Sequence, residues 1–232
     1  DMINNFVHLT ESTTEITALC EGISIGDYSK SIDLRSNQDM LGQAIQNMNN
    51  NLKEVVSQAN NISKGNYNIQ INPKSEKDEL ALALQTMMNG LNKTDWLNKG
   101  EQNLNDKMRG INDIAQLSKV MIQYLAQFLE GAIGAFYLFN EDTKTFQLTG
   151  SYAFSNRKSL SNEFKVGESI IGQAALEKTH IIINNIPDDY LYIQSGLGES
   201  KGNQILVAPL MSQNTVRAVI EIGTLGTFKE KH

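Results

Sequence analysis

The sequence is poor in cysteine, and it lacks both a long apolar run and an excess of positive charge. Its one cysteine, Cys20, excludes an intrachain disulfide framework and a zinc site built from cysteines. A reducing, cytoplasmic environment therefore fits best. The net charge is −6, from 20 basic and 26 acidic residues, with no basic patch. We therefore do not expect nucleic acid or an anionic membrane surface as a partner.

No apolar run approaches the roughly 20 residues that a transmembrane helix requires. The first residues are typical of a helix rather than of a signal peptide. Because the chain opens inside a helix and ends at His232 without a closing element, we expect a cytosolic fragment of a longer protein. The sequence leaves open whether that longer protein is anchored in a membrane.

Aromatic residues are scarce in the first half of the chain. Twelve of the sixteen follow residue 116, whereas the first half is rich in Asn, Gln, Lys and Met. This contrast predicts a multi-domain chain, with a helical N-terminal region and a packed α+β domain joined near residues 95–116.

The first half contains a repeat. A shift of 39 positions places Gly26-Asp27-Tyr28 on Gly65-Asn66-Tyr67 and, without a gap, Leu41 on Leu80. In each unit the pattern predicts a helix that ends at a glycine, an extended connector and a second helix that begins at a serine or aspartate cap. The important connector positions are expected to be Gly26, Ile32, Leu34, Gly65, Ile69 and Ile71.

Both units carry apolar or small residues in alternating steps of three and four, which we call the heptad seam. So narrow a stripe requires a partner helix. A connector of about a dozen residues can extend about 40 Å, so the two helices of a unit can lie parallel. Two chains would then close a parallel four-helix bundle. The seam residues expected in its core are Ile16, Cys20, Ile23, Leu41, Ile45, Met48, Leu52, Val55, Ala59, Ile62, Leu80, Leu84, Met87 and Leu91.

This half resembles tandem HAMP domains. Gly26-Asp27 and Asp39-Met40-Leu41-Gly42 match the family pattern, and Gly65-Asn66 and Asp78-Glu79-Leu80-Ala81 match it with Asn and Ala as departures. The resemblance implies a homodimeric signal relay whose bundle switches between two packings. An ordinary coiled-coil stalk is the alternative, although its heptads would not be interrupted at a fixed period. The expected boundaries are 1–15 for the end of a preceding HAMP helix, 16–54 and 55–94 for the two HAMP units, and 95–116 for a signalling helix.

After Leu91 the heptad positions become polar, and apolar spacing then resumes in a new phase. The resumed positions are Leu104, Met108, Ile111 and Ile114. We therefore predict a continuous but shifted signalling helix, in which Gly100 and Gly110 each cost about 1 kcal/mol relative to alanine. A plain linker is the alternative.

The second half resembles a GAF domain, which we assign to 117–232 with its closing helix missing. The resemblance lies in the segments at 166–174, 205–210 and 219–222. An entry helix, a short helix after Gly167 and a hairpin turn at Gln213-Asn214 accompany several apolar strands, which predicts an α+β fold with a central antiparallel sheet. HAMP repeats followed by a GAF domain resemble the sensory region of a bacterial histidine kinase in a two-component system.

The sequence shows no nucleophile–base pair, metal cluster or nucleotide-binding loop, so we expect no catalysis, metal or cofactor in this fragment. His8 lacks the acidic residue that follows a phosphoacceptor histidine, and Asp188-Asp189 after Pro187 is typical of a turn. The GAF resemblance implies a ligand pocket, for which core or dimer contacts are the alternative. Its expected lining is Tyr152, Phe154, Phe164, Tyr190, Tyr192, Ser195 and Leu206.

Two functions remain open. The first is a non-catalytic homodimer that passes conformational signals through HAMP bundles to the GAF module and to a kinase domain further along the same chain. The alternative is a GAF domain that senses an unidentified small molecule, such as a cyclic nucleotide, and regulates a cyclase or phosphodiesterase. The sequence lacks the Asn-Lys…Phe…Asp-Glu signature of GAF domains that bind cyclic nucleotides.

Overall fold

The computed structural model describes residues 2–34, 36, 38–153, 162–187, 192–195 and 198–229. The chain forms two compact units, Asp1–Asp95 and Trp96–His232. The boundary between them falls within the third helix. In the described part of the chain, no helix is both long enough and apolar enough to cross a membrane.

The first unit contains α1 (Met2–Ser24), α2 (Met40–Ser63) and the beginning of α3 (Glu79–Met108). As predicted, α1 and α2 are each followed by a glycine with a positive φ, Gly26 at 83° and Gly65 at 80°. The predicted aspartate caps are also confirmed. The Asp39 carboxylate accepts the Gly42 N–H at 3.0 Å, and the Asp78 carboxylate accepts the Ala81 N–H at 3.2 Å.

Within a single chain, the helices of the first unit bury only part of the heptad seam. Ile62 and Leu84 are buried, as are the connector residues Ile32 and Ile71. Seven seam residues are half-buried: Ile16, Cys20, Ile23, Ile45, Leu52, Val55 and Ala59. Five are exposed: Leu41, Met48, Leu80, Met87 and Leu91. Of the other connector residues, Ile69 is half-buried and Leu34 is exposed.

The helix predicted to run without a break through 95–116 is interrupted, so that prediction is wrong. Helix α3 ends at Met108, and Gly110 adopts the left-handed conformation at φ 80°. Helix α4 (Ile114–Phe128) then begins at a new cap, where the Asp113 carboxylate accepts the Gln116 N–H at 2.7 Å. Of the four positions that carry the resumed apolar spacing, Leu104, Met108 and Ile111 are half-buried and Ile114 is exposed.

The second unit is an α+β domain, and its predicted antiparallel sheet is confirmed. Six strands form one sheet in the order β3-β2-β1-β8-β7-β4, with every neighbouring pair antiparallel, and β5 and β6 form a separate hairpin. The elements after α4 are β1 (Ile133–Asn140), β2 (Thr145–Tyr152), β3 (Glu163–Lys165), α5 (Ser169–Glu177), β4 (Ile181–Asn184), β5 (Tyr192–Ser195), β6 (Gly198–Lys201), β7 (Gln204–Ser212) and β8 (Thr215–Thr224).

The six-stranded sheet has a helix on each face, so its long strands bury both of their sides. Ile122 and Ala126 of α4 pack in one cluster, and Ile171 and Ala174 of α5 pack in the other. We call these two sides the α4 face and the α5 face. The predicted hairpin turn between β7 and β8 is confirmed, with φ 48° at Gln213 and 64° at Asn214.

Candidate functional site

The residues predicted to line a pocket do not converge on one face of the sheet. Phe164 of β3 packs against the cluster on the α5 face, where its ring lies edge-on to Tyr137 with the centroids 5.6 Å apart. Tyr152 of β2 and Leu206 of β7 pack against the cluster on the α4 face. The structure therefore does not bring these three side chains together.

A β-bulge explains the position of Tyr152. Tyr137 of β1 pairs with Leu148, but its neighbour Phe136 pairs with Gly150, which leaves Thr149 as an extra residue in β2. Such an insertion reverses the alternation of side chains along the strand. Leu148 consequently packs with the α5 face, whereas Tyr152 packs with the α4 face.

Simple alternation explains the position of Leu206. Its neighbours Ile205 and Val207 are both buried on the α5 face, so Leu206 points to the opposite side. Because β7 is apolar on both sides, its sequence does not reveal which residues face which helix.

The other pocket residues lie wholly or partly beyond what the structure describes. Phe154 and Tyr190 are outside the described residues, as are the Asp188-Asp189 pair and His232. Tyr192 and Ser195 are the two ends of β5, and their backbone pairs with Lys201 and Gly198 of β6.

The sheet contains a titratable group that the sequence-based prediction missed. Glu221 lies on the central strand β8, in register with Ala135 of β1 and Val207 of β7. Its carboxyl group is hydrogen-bonded to the side chain of Tyr137 on the α5 face. The available signal was a single charged residue inside the apolar run Val219-Ile220-Glu221-Ile222, which the prediction used only as part of the family resemblance.

Burial controls the protonation of Glu221. Although part of the residue remains accessible to solvent, desolvation of the carboxyl group raises its pKa from 4.5 to about 7, and the bond with Tyr137 offsets only part of that effect. A carboxyl group that titrates near neutral pH can act as a hydrogen-bond donor or as an anion. The α5 face thus has one position where charge and hydrogen bonding change together.

No cluster of three or more acidic, histidine or cysteine side chains suitable for a metal ion occurs among the residues that the structure describes. The described α5 face is a packed apolar core that contains the carboxyl–phenol pair of Glu221 and Tyr137.

An antiparallel sheet with a helix on each face defines this unit as a small α+β module. A family model described as "GAF domain" matches residues 112–232, slightly more than half of the chain. The chain therefore belongs to the GAF family.

Several solved structures are similar to this chain. The GAF domain of a phosphoenolpyruvate-protein phosphotransferase from Coxiella burnetii is 18% identical, with 62% of this chain and 84% of that chain covered and a TM-score of 0.46. The corresponding Acinetobacter domain is 18% identical, with coverages of 60% and 81% and a TM-score of 0.45. Free methionine-R-sulfoxide reductase from Neisseria meningitidis is 16% identical, with coverages of 60% and 78% and a TM-score of 0.42. No curated protein matches the chain.

Proposed function

We propose that this chain is a non-catalytic relay segment of a bacterial sensor histidine kinase and acts as a parallel homodimer. Two HAMP units would pass a conformational signal to the GAF domain. The GAF domain would pass it to the kinase domain of the full-length protein, which lies downstream of this segment. GAF membership supports a signalling role. The observation that carries the proposal is the exposed part of the heptad seam.

The exposed seam residues are large, apolar and regularly spaced. Leu41 is 57% exposed and Leu80, its equivalent in the repeat, is 51% exposed. Fully burying a leucine side chain contributes about 1.5–3 kcal/mol, so a helix that leaves several of them in water gains from a partner. A second copy presents the same stripe in the same register, which satisfies the requirement of a two-fold interface.

The two repeat units differ in a way that suits a switch. Asn49 of α2 is 1% exposed; its Nδ2 donates to the Lys30 carbonyl at 2.8 Å, whereas its buried Oδ1 has no hydrogen-bond partner among the described residues. An unsatisfied buried polar atom costs about 1–3 kcal/mol. The repeat places Met88, which is also buried, at the equivalent position of the second unit. The packing of the first unit is therefore less favourable than that of the second. Moving a bundle from almost entirely one packing to almost entirely the other requires roughly 5 kcal/mol of differential stabilisation.

Paired substitutions on one helix test the dimer. Leu80 lies on the seam of α3, and Leu82 lies off it, yet both are substantially exposed in the single chain. Leu80→Asp should dissociate the dimer in sedimentation velocity, because it places two charges at the bundle core. Leu82→Asp should leave the dimer intact. A monomeric wild-type chain, or equal effects of the two substitutions, would contradict the proposal.

A further inference from the structure

The second half of α3 is held against α4 by three aromatic side chains, which we call the aromatic cluster: Trp96, Tyr124 and Phe128. The Trp96 and Phe128 rings stack with centroids 4.1 Å apart and planes inclined by 15°. The Tyr124 and Phe128 rings are also nearly parallel, with centroids 5.6 Å apart. Aromatic pairs of this kind stabilise a contact beyond the effect of the apolar area that they bury.

Gly100 is the point of closest approach in this contact. The Tyr124 hydroxyl donates to the Gly100 carbonyl at 2.9 Å. A Cβ atom at position 100 would lie 2.3 Å from Cζ of Phe128 and 2.8 Å from Cε1. The glycine that the sequence presents as a weak point in the helix is therefore what allows the aromatic cluster to form.

The aromatic cluster is the main apolar contact of this part of α3, and the Lys107 ammonium group adds a contact 5.9 Å from the centroid of the Tyr124 ring. Most of its residues between Trp96 and Met108 are exposed, including Leu97, and only Gly100, Leu104 and Met108 join Trp96 in being buried or half-buried. The break at 109–113 follows immediately, so the helix is not held by continuity with α4.

Helix α4 connects this contact to the sheet. Its Ile122 and Ala126 side chains, on a different side from Tyr124 and Phe128, are fully buried against the α4 face. Near its start, the Ser118 Oγ accepts the Thr149 hydroxyl at 3.0 Å, at the bulge in β2. A displacement of α4 would therefore act directly on the central strands.

We propose that the aromatic cluster is the coupling contact of the relay, closed on α4 in one signalling state and open in the other. The inference rests on the proposed relay function and names the place where α3 passes its movement to the GAF domain. When rings stack closely over a glycine, the contact between the two helices is either made or broken, because close-packed contacts are bistable rather than continuously deformable. The structure holds the closed arrangement, and the open one is the second discrete arrangement that coupling requires.

Trp96 is the only tryptophan in the chain, so tryptophan fluorescence reports on the surroundings of this one side chain. Gly100→Ala should shift its emission to the red and increase its quenching by acrylamide, because the added methyl group forces Phe128 away. Gly90→Ala is the matched control: it lies in the same helix and gains the same helix propensity, but nothing lies within 4 Å of its Cβ position. Phe128→Ala, which removes the ring without a clash, should reproduce the red shift. Unchanged emission in both Gly100→Ala and Phe128→Ala would overturn the proposal.

A second comparison separates the coupling contact from the relay itself. In the Leu80→Asp variant, dissociation of the dimer should change the Trp96 emission, because α3 is continuous from Glu79 to Met108. If the variant dissociates and the emission does not change, the coupling contact is wrong while the dimer stands. If the wild-type chain is monomeric in sedimentation, the proposed relay is wrong, and so is the coupling role of the aromatic cluster.

Discussion

At the scale of single residues, Glu221 is placed where solvent stabilises its charge only weakly. The strand β8 is central in the sheet and α5 covers the face to which the carboxyl group points, so the ionised form loses hydration that one bond with Tyr137 does not replace. The consequence is a pKa raised from 4.5 to about 7.

This shift predicts a dependence of stability on pH. Between pH 4.5 and 7 the folded chain retains a proton on Glu221 that the unfolded chain releases. The free energy of unfolding contributed by this group is therefore greatest below pH 4.5, falls as the pH rises and levels off above pH 7. Glu221→Gln should remove that slope and be more stable than wild type at pH 8 by up to about 3 kcal/mol.

Urea unfolding at pH 5 and pH 8 measures this effect as the difference between variant and wild type. The difference isolates Glu221, because the other carboxyl groups, such as Glu163 with its lowered pKa, are present in both proteins and their contributions cancel. Glu141→Gln is the control, since Glu141 is exposed and pairs with Arg217 at 2.7 Å. An identical pH slope in Glu221→Gln and wild type would show that the carboxyl group is solvated.

Single residues also show how far the sequence supports prediction. Asp39 and Asp78 were predictable as caps because a cap depends on local chemistry that recurs in every helix. The face occupied by Tyr152 was not, because the bulge at Thr149 is defined by pairing with another strand. The environment of Glu221 likewise depends on residues that are distant in sequence.

At the scale of elements, the start of α4 is the point at which the predicted signalling helix divides. The left-handed Gly110 ends one helix and the Asp113 cap begins the next. Hydrophobic spacing alone did not reveal this break, because it reports burial and not the continuity of the backbone. The long strands and the β7–β8 hairpin were predictable from their apolar runs, whereas β3 has three residues and no such pattern.

The cap of α4 can be tested directly. Asp113→Ala removes the acceptor for the Gln116 N–H and should lower the free energy of unfolding by about 1 kcal/mol. Asp113→Asn keeps an acceptor of the same shape and should remain within a few tenths of a kcal/mol of wild type. Chemical denaturation of the three proteins provides the measurement. Equal losses in both variants would mean that charge, rather than capping, stabilises this end.

At the scale of the whole molecule, the contrast between the two halves was visible in their composition. The aromatic-rich half forms the GAF domain. The polar half forms helices that, in a single chain, leave much of their apolar stripe exposed to water. Sequence patterns identify such a stripe, but they do not say what covers it. We expect a second copy, because the exposed Leu41 and Met48 of the first repeat recur as the exposed Leu80 and Met87 of the second.

The most direct test of the proposed dimer uses the chain's own cysteine. Cys20 is half-buried on the seam of α1, and a two-fold axis along a parallel bundle would bring the two copies face to face. Mild oxidation at low protein concentration should therefore yield a disulfide-linked dimer on a non-reducing gel, and Cys20→Ser should yield none. A Cys20→Ser chain carrying Thr17→Cys, an exposed position off the seam, should crosslink much more slowly. Rapid crosslinking at position 20 alone supports the parallel dimer, whereas equal rates at both positions, or no crosslinking, would contradict it.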